Sequence, residues 1–236
     1  MSRTAWSALL ISALLLAALQ LWLRPLLPVD ETRYIGVAWE MWQRGEFLVP
    51  WLNGEPYSHK PPLYFWLIHA GWWLFGVNEW WPRSVAALVS LAALLAVSRL
   101  AGLLWPQDRV TRALVPWVLF GLVFWAAFYT WLQIDMLMVL FTVIAMTGLV
   151  RAGRGCRSGW LVTGVAIGLG VLSKGPVVLL HVLPVALLAP LWLEPHATRS
   201  SWWSWYGGVL ASVATGAAIG LAWALPAASA GGRYRA

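Results

Sequence analysis

Charge is scarce in this chain. Asp, Glu, Lys and Arg make up 11% of its 236 residues, against 61% for the hydrophobic types. A soluble globule of this length needs far more polar surface, whereas a bilayer demands such a composition, so the classes of soluble enzyme and soluble binding domain are excluded. Cysteine is nearly absent: Cys156 stands alone in an Arg-rich connector, which excludes an intramolecular disulfide and a cysteine metal site. Histidine is also rare, and neither His69 nor His181 has a second His or carboxylate at ligand spacing, so both are expected to pack or sit at an interface rather than bind metal. Acid is scarcer than base, nine residues against sixteen, for a net charge of +7. Nucleic acid is a poor partner for this charge, because the arginines are spread over short connectors and form no patch on one element.

Long apolar runs are what the chain has in abundance. About 20 apolar residues cross the hydrocarbon core at a rise of roughly 1.5 Å each. Seven spans are expected on that rule, at 5–23, 84–105, 113–131, 135–150, 159–174, 176–193 and 205–226. The first resembles a signal peptide in its leading Arg3, but it runs into Leu23-Arg24-Pro25 without a small-residue cleavage site, so residues 1–24 read as a retained signal anchor. Basic residues stay on the cytoplasmic side. An inside N-terminus puts Arg99, Arg109, Arg112, Arg151, Arg154, Arg157 and Arg199 there, leaving only Lys174 outside before the C-terminal tail. The segment from Pro61 to Val77 is apolar enough to span but would reverse every later loop. It is therefore laid at the outer interface, with Trp66, Trp72 and Trp73 as its anchors.

Residues 25–83 then form an extracytoplasmic loop, and that loop holds six of the nine acids: Asp30, Glu31, Glu40, Glu46, Glu55 and Glu79. Asp30 is placed to N-cap an amphipathic helix in which Ile35, Ala38, Trp39 and Trp42 recur at helical spacing, with Gly45 as its breaker. On the residues alone, Asp30 and Glu31 read first as capping groups at the positive end of a helix dipole. Asp135 opens an apolar span, where a carboxylate is either a cap or a functional group. Lys174, before Gly175 and Pro176, has the same double reading as a basic last turn. Gly164 and Gly168 form a Gly-x-x-x-Gly that permits close helix packing.

The wording of the loop carries more. Asp30-Glu31-Thr32-Arg33-Tyr34, Trp39-Glu40-Met41, Gly45 to Pro50, Leu52 to Tyr57 and Lys60-Pro61-Pro62-Leu63-Tyr64 occur in order, followed by Leu74 to Glu79 with Arg83, Asp135-Met136 and Leu172 to Pro176. This pattern resembles the GT-C membrane glycosyltransferases, in the branch of the lipid A aminoarabinose transferases and the dolichyl-phosphate-mannose protein mannosyltransferases. The resemblance implies an all-α, polytopic helix bundle with interfacial helices in its first outer loop. It implies inverting transfer of a sugar from a polyprenyl-phosphate donor to a lipid A, glycan or protein acceptor outside the inner membrane. By the same resemblance Asp30 is the general base, Glu31 the neighbouring acid that shapes the site and Asp135 an active-site wall. Lys60 takes the donor phosphate, while Arg33, Tyr34, Tyr57, Arg83 and Lys174 line the substrate site. The adjacent acid pair differs from the Asp-x-Asp pattern of oligosaccharyltransferases, so no metal and no cofactor are expected. His59 departs from the pattern, standing where relatives often have an acid.

The resemblance also implies further helices, so the tail at 227–236 reads as the start of another outer loop and the chain as an N-terminal portion. Two other classes remain. A secondary transporter should show paired repeats with helices broken at mid-bilayer, whereas the charges here gather in one outer loop. A non-catalytic membrane scaffold of the same fold is the other alternative.

Overall fold

The computed structural model describes residues 3–193 and 202–230; Arg199 and residues 231–236 lie outside them. The order is α1 (Arg3–Leu23), α2 (Asp30–Arg44), a hairpin of β1 (Trp51–Leu52) and β2 (Glu55–Pro56), α3 (Leu63–Phe75), α4 (Trp80–Leu104), α5 (Arg109–Gly121), α6 (Val123–Phe128), α7 (Ile134–Gly153), α8 (Ser158–Lys174), α9 (Val177–Leu187) and α10 (Trp202–Ala230). The protein is a multi-pass, all-α membrane protein. Four helices, α1, α4, α7 and α10, are each long and apolar enough to cross a bilayer.

The other three expected spans are interrupted or short. At 113–131 the chain forms two helices that part at Leu122, whose backbone is extended (φ −67°, ψ 130°) after the poor helix former Gly121. The stretch 176–193 ends its α-helix at Leu187 and continues as one 3-10 turn over Ala189–Leu191, with Pro190 inside it. Helix α8 has 17 residues, about 25 Å, against a hydrocarbon core of about 30 Å. The last span is longer than expected, its helix running to Ala230.

Two compact units divide the chain: Met1–Tyr57 with Pro62–Leu137, and Ser58–Pro61 with Met138–Ala236. In the first, Ala13 of α1 and Ala87 of α4 pack with Tyr129, the residue after α6, and the two alanines let α1 and α4 approach. In the second, α8 and α10 share a seam of glycines. A Cβ on Gly168 would lie 2.6 Å from Ile219 Cβ, and one on Gly164 2.7 Å from Thr215 Cβ, so the Gly-x-x-x-Gly does lie at a close helix contact. Trp205 closes one end of this seam, ring to ring with Trp160 at 4.8 Å, its indole N–H donating to Ala186 O.

The loop between α1 and α4 is folded rather than draped. Helix α2 buries Glu31, Tyr34, Val37, Ala38 and Met41, a stripe rotated from the expected Ile35, Ala38, Trp39, Trp42 face. Gly45 ends it at φ +65°, its N–H directed at Met41 O and Trp42 O. Helix α3, 13 residues or about 20 Å, is too short to span and packs its buried face beside α2. Trp73 is exposed, but Trp72 is 2% exposed and packs edge-on against Trp42; it is a core residue and not the interfacial anchor expected. His69 is buried, and its Nε2 donates to Ala38 O at 2.9 Å, which matches the packing role expected of it.

Candidate active site

Asp30 is the first residue of α2, not its N-cap; that position belongs to Val29, which makes no side-chain cap bond. One helical turn on, Arg33 forms an ion pair with Asp30, and both side chains are partly open to solvent. The Arg33 guanidinium also lies over the Tyr34 ring at 5.4 Å. Burial first, and then the Asp30 charge, push the Tyr34 hydroxyl up to about 12. Tyr57, brought in by the hairpin, is raised by the same two causes and interacts electrostatically with both Arg33 and Asp30. Four of the expected residues, Asp30, Arg33, Tyr34 and Tyr57, therefore form one cluster: a carboxylate, a fixed cation and two phenols that keep their protons at neutral pH.

The hairpin owes its shape to Asn53 (φ 54°) and Gly54 (φ 79°), an Asn-Gly turn joining strands in the register Trp51 to Pro56 and Leu52 to Glu55. Glu40 ties it to α2, accepting from Gly54 N and pairing with Arg44, whose guanidinium covers the Trp51 ring at 4.2 Å.

Glu31 differs from its neighbour Asp30 in its surroundings. It is fully buried, and its two oxygens take four donors: Arg24 Nη1 at 2.7 Å, Arg24 Nη2 at 2.9 Å, Leu27 N at 2.7 Å and Leu132 N at 3.1 Å. Burial alone would raise this carboxyl; the Arg24 bonds and the two backbone amides outweigh it and hold it below the usual range. Around the pair, Arg24 donates to Thr130 O, and the Thr130 hydroxyl donates to Gln20 Oε1 at 2.6 Å. Gln20, Arg24 and Thr130 were not singled out from the sequence. The usable signal was Arg24 itself, a charge placed where an apolar span ends.

The remaining expected residues lie outside α2 and the hairpin. Arg83 is buried and donates to Leu21 O and Gln20 O, holding the last carbonyls of α1. Asp135 is the second residue of α7 and half-buried. Lys60 and Lys174, both half-buried, belong to the second unit, Lys174 as the last residue of α8.

Residues 59–223 match the family model described as dolichyl-phosphate-mannose-protein mannosyltransferase. The chain belongs to this family. Among curated relatives it is 32% identical over 205 residues to undecaprenyl phosphate-α-4-amino-4-deoxy-L-arabinose arabinosyl transferase 1 of Pseudomonas fluorescens, a match covering 81% of this chain and 35% of that protein. It is 34% identical over 199 residues to the corresponding transferase of Pseudomonas savastanoi pv. phaseolicola, covering 81% and 36%. The chain thus spans about a third of the length of the curated relatives it matches. The fold is similar to part of ArnT from Cupriavidus metallidurans, in the apo state (TM-score 0.75, 24% identity) and bound to undecaprenyl phosphate (TM-score 0.76, 22% identity). Those alignments cover 98% and 99% of this chain and 43% of ArnT. Lys60, Arg83, Asp135 and Lys174 lie within the family match, while Asp30, Glu31, Arg33, Tyr34 and Tyr57 precede it.

Proposed function

We propose that the protein is a membrane glycosyltransferase that moves a sugar from a polyprenyl-phosphate donor to an extracytoplasmic acceptor, lipid A, another glycan or a protein, with inversion and with Asp30 as general base. The observation that carries this reading is the contrast between two adjacent acids. Glu31 has every lone-pair position committed to protein donors, whereas Asp30 stands at the solvent edge of α2 beside Arg33, Tyr34 and Tyr57. One acid frames the site and the other is available to react. The names of the curated relatives, and the undecaprenyl phosphate held by one solved neighbour, support the donor class.

In the proposed reaction the acceptor hydroxyl gives its proton to Asp30 as its oxygen attacks the anomeric carbon. The bond from that carbon to the phosphate oxygen breaks, and the phosphate leaves with the electron pair. Arg33 and Lys60 offset the charge that develops on the phosphate, and the protonated Tyr34 and Tyr57 are available as donors to sugar oxygens. Asp135 and Lys174 are further candidates for substrate contact, and Arg83 supports the site by holding the end of α1. No metal is needed in this scheme, since Glu31 has no lone pair left for a cation. The site faces the outside of the inner membrane, with the N-terminus cytoplasmic.

Asp30→Asn tests the reading. The substitution keeps the size of the side chain and loses one half-exposed ion pair, worth about 0–1 kcal/mol. A positioned base contributes roughly 10²- to 10⁴-fold, or about 3–5 kcal/mol of barrier. Transfer of labelled sugar from polyprenyl phosphate by the whole protein in membranes should therefore fall by at least about a hundredfold while thermal stability changes little. Activity within about threefold of the parent would remove Asp30 from the mechanism.

A further inference from the structure

At the end of the first unit remote from Asp30, helices α1, α4 and α5 enclose a cleft of about 440 Å³ lined by Trp6, Leu95, Ser98, Arg99, Gly102 and Arg112. Trp6 lies near the start of α1, whose other end leads to α2; Arg99 lies near the end of α4, whose start follows the outer loop. From Trp80 to Arg99 the helix rises about 28 Å, close to the thickness of the hydrocarbon core. The cleft therefore opens at the membrane surface opposite the Asp30 loop.

Its charge is unbalanced. Among the described residues the ion pairs are Arg24 with Glu31, Arg33 with Asp30 and Arg44 with Glu40, so neither Arg99 nor Arg112 has one. The acid that Arg112 influences is Asp108, whose carboxylate is occupied by capping α5, accepting from Thr111 N at 2.9 Å and the Thr111 hydroxyl at 2.6 Å. Arg112 Nε is buried without a hydrogen-bond partner. Leaving such a donor unmet is costly, more so on a charged group. Gly102 gives the arginine its course into the cleft, since a Cβ there would sit 3.3 Å from Arg112 Cδ.

Two arginines without an acidic partner among the described residues line one cleft, which suits an anion, and the walls say where it comes from. The helices around the cleft expose Leu104, Trp105, Val110 and Leu114, apolar residues that suit lipid chains, while Trp6 supplies an indole of the kind that sits at headgroup depth. A phosphodiester carried on a lipid fits the planar guanidinium fork and brings its chains to those apolar walls. We infer that this cleft binds the phosphate of an anionic phospholipid in the leaflet opposite the Asp30 loop, with Arg99 and Arg112 as its ligands. The site is separate from sugar transfer and stands whether or not Asp30 is the base.

The test is thermal unfolding of the purified full chain in phosphatidylcholine micelles, with added phosphatidylglycerol or added inorganic phosphate, alongside native mass spectrometry of retained lipid. Phosphatidylglycerol should raise the midpoint by about 5–10 °C near saturation and survive as a bound adduct. The shift should vanish in the double variant Arg99→Gln, Arg112→Gln. Should that variant fail to fold, Arg99→Gln alone, at an exposed position, should at least halve the shift. A shift of equal size from added phosphatidylcholine, or one unchanged in either variant, overturns the assignment. Inorganic phosphate giving the same shift overturns the lipid source and leaves a site for free anions.

Discussion

Glu31→Gln is the substitution for which the structure makes the firmest demand. The carboxylate is fully buried and accepts four hydrogen bonds, two from Arg24 and one each from Leu27 N and Leu132 N. An amide of the same shape turns one acceptor oxygen into a donor, so two of those four contacts become donor facing donor. It also leaves the Arg24 guanidinium without its counter-charge. Breaking a buried pair from one side costs about 3–5 kcal/mol, which for a chain of this size corresponds to a fall in unfolding midpoint of roughly 6–20 °C. Circular dichroism in detergent, followed on heating, reads this directly. Arg24→Met combined with Glu31→Met should cost less than the sum of the two single changes, because no charge is left alone; the coupling should lie near 0.5–3 kcal/mol. The pH dependence has a definite sign. The Glu31 carboxyl is held below its ordinary value in the folded protein, so its contribution is complete above the unfolded value and is lost as pH falls through the folded one. Acid should therefore erase the difference between parent and Glu31→Gln, and neutral pH should restore it. A loss below about 1 kcal/mol at neutral pH would refute the view that these four bonds hold the start of α2.

Lys60→Ala should weaken binding of a polyprenyl-phosphate donor in a detergent assay, through loss of a charge-assisted contact; unchanged affinity would exclude that role. Cys156 should resist a membrane-impermeant thiol reagent in intact cells, while a cysteine substituted for Asn53 in a Cys156→Ser background should react, and the reverse result would invert the orientation. Gly168→Val sets two carbons against each other at the α8 to α10 contact, where a Cβ would stand 2.6 Å from Ile219 Cβ; overpacking of this kind costs about 1–3 kcal/mol and should appear as a lower unfolding midpoint.

How much of this could be read from residues alone depends on range. Hydropathy located the long helices because each carries its own signal within about 20 residues. Gly45 and the Gly164/Gly168 pair were legible for the same reason, one by local backbone freedom and the other by absence of side chain. The interruption at Leu122 was not: Gly121 weakens a helix, but whether the chain breaks there depends on packing around Tyr129 and Ala87. Asp30 was placed one residue too far out, within the ordinary uncertainty of a helix start. Trp72 and Trp73 are neighbours with the same composition signal and opposite fates: both rings touch Trp42, but Trp72 is also enclosed by Trp39 and His69 and donates to Asn78 O, while Trp73 stays 66% exposed. The Asn53-Gly54 hairpin carries a clear dipeptide signature. Gathering Asp30, Arg33 and Tyr34 needed only helical spacing. Leu132 meeting Glu31 needed the fold, since 101 positions separate them.

That separation also sets a schedule. During synthesis Arg24 and Leu27 emerge beside Glu31 almost at once, so the carboxylate can take three of its four bonds early. The fourth waits for Leu132, about 5–20 s later at roughly 5–20 residues per second. Until then the start of α2 is anchored only to its own neighbourhood, and the loop that carries Asp30 lacks its distant tie. A lesion near Thr130 would therefore strike the loop that carries Asp30 from a hundred residues away, by leaving an early-made acid to wait for a partner that arrives misplaced.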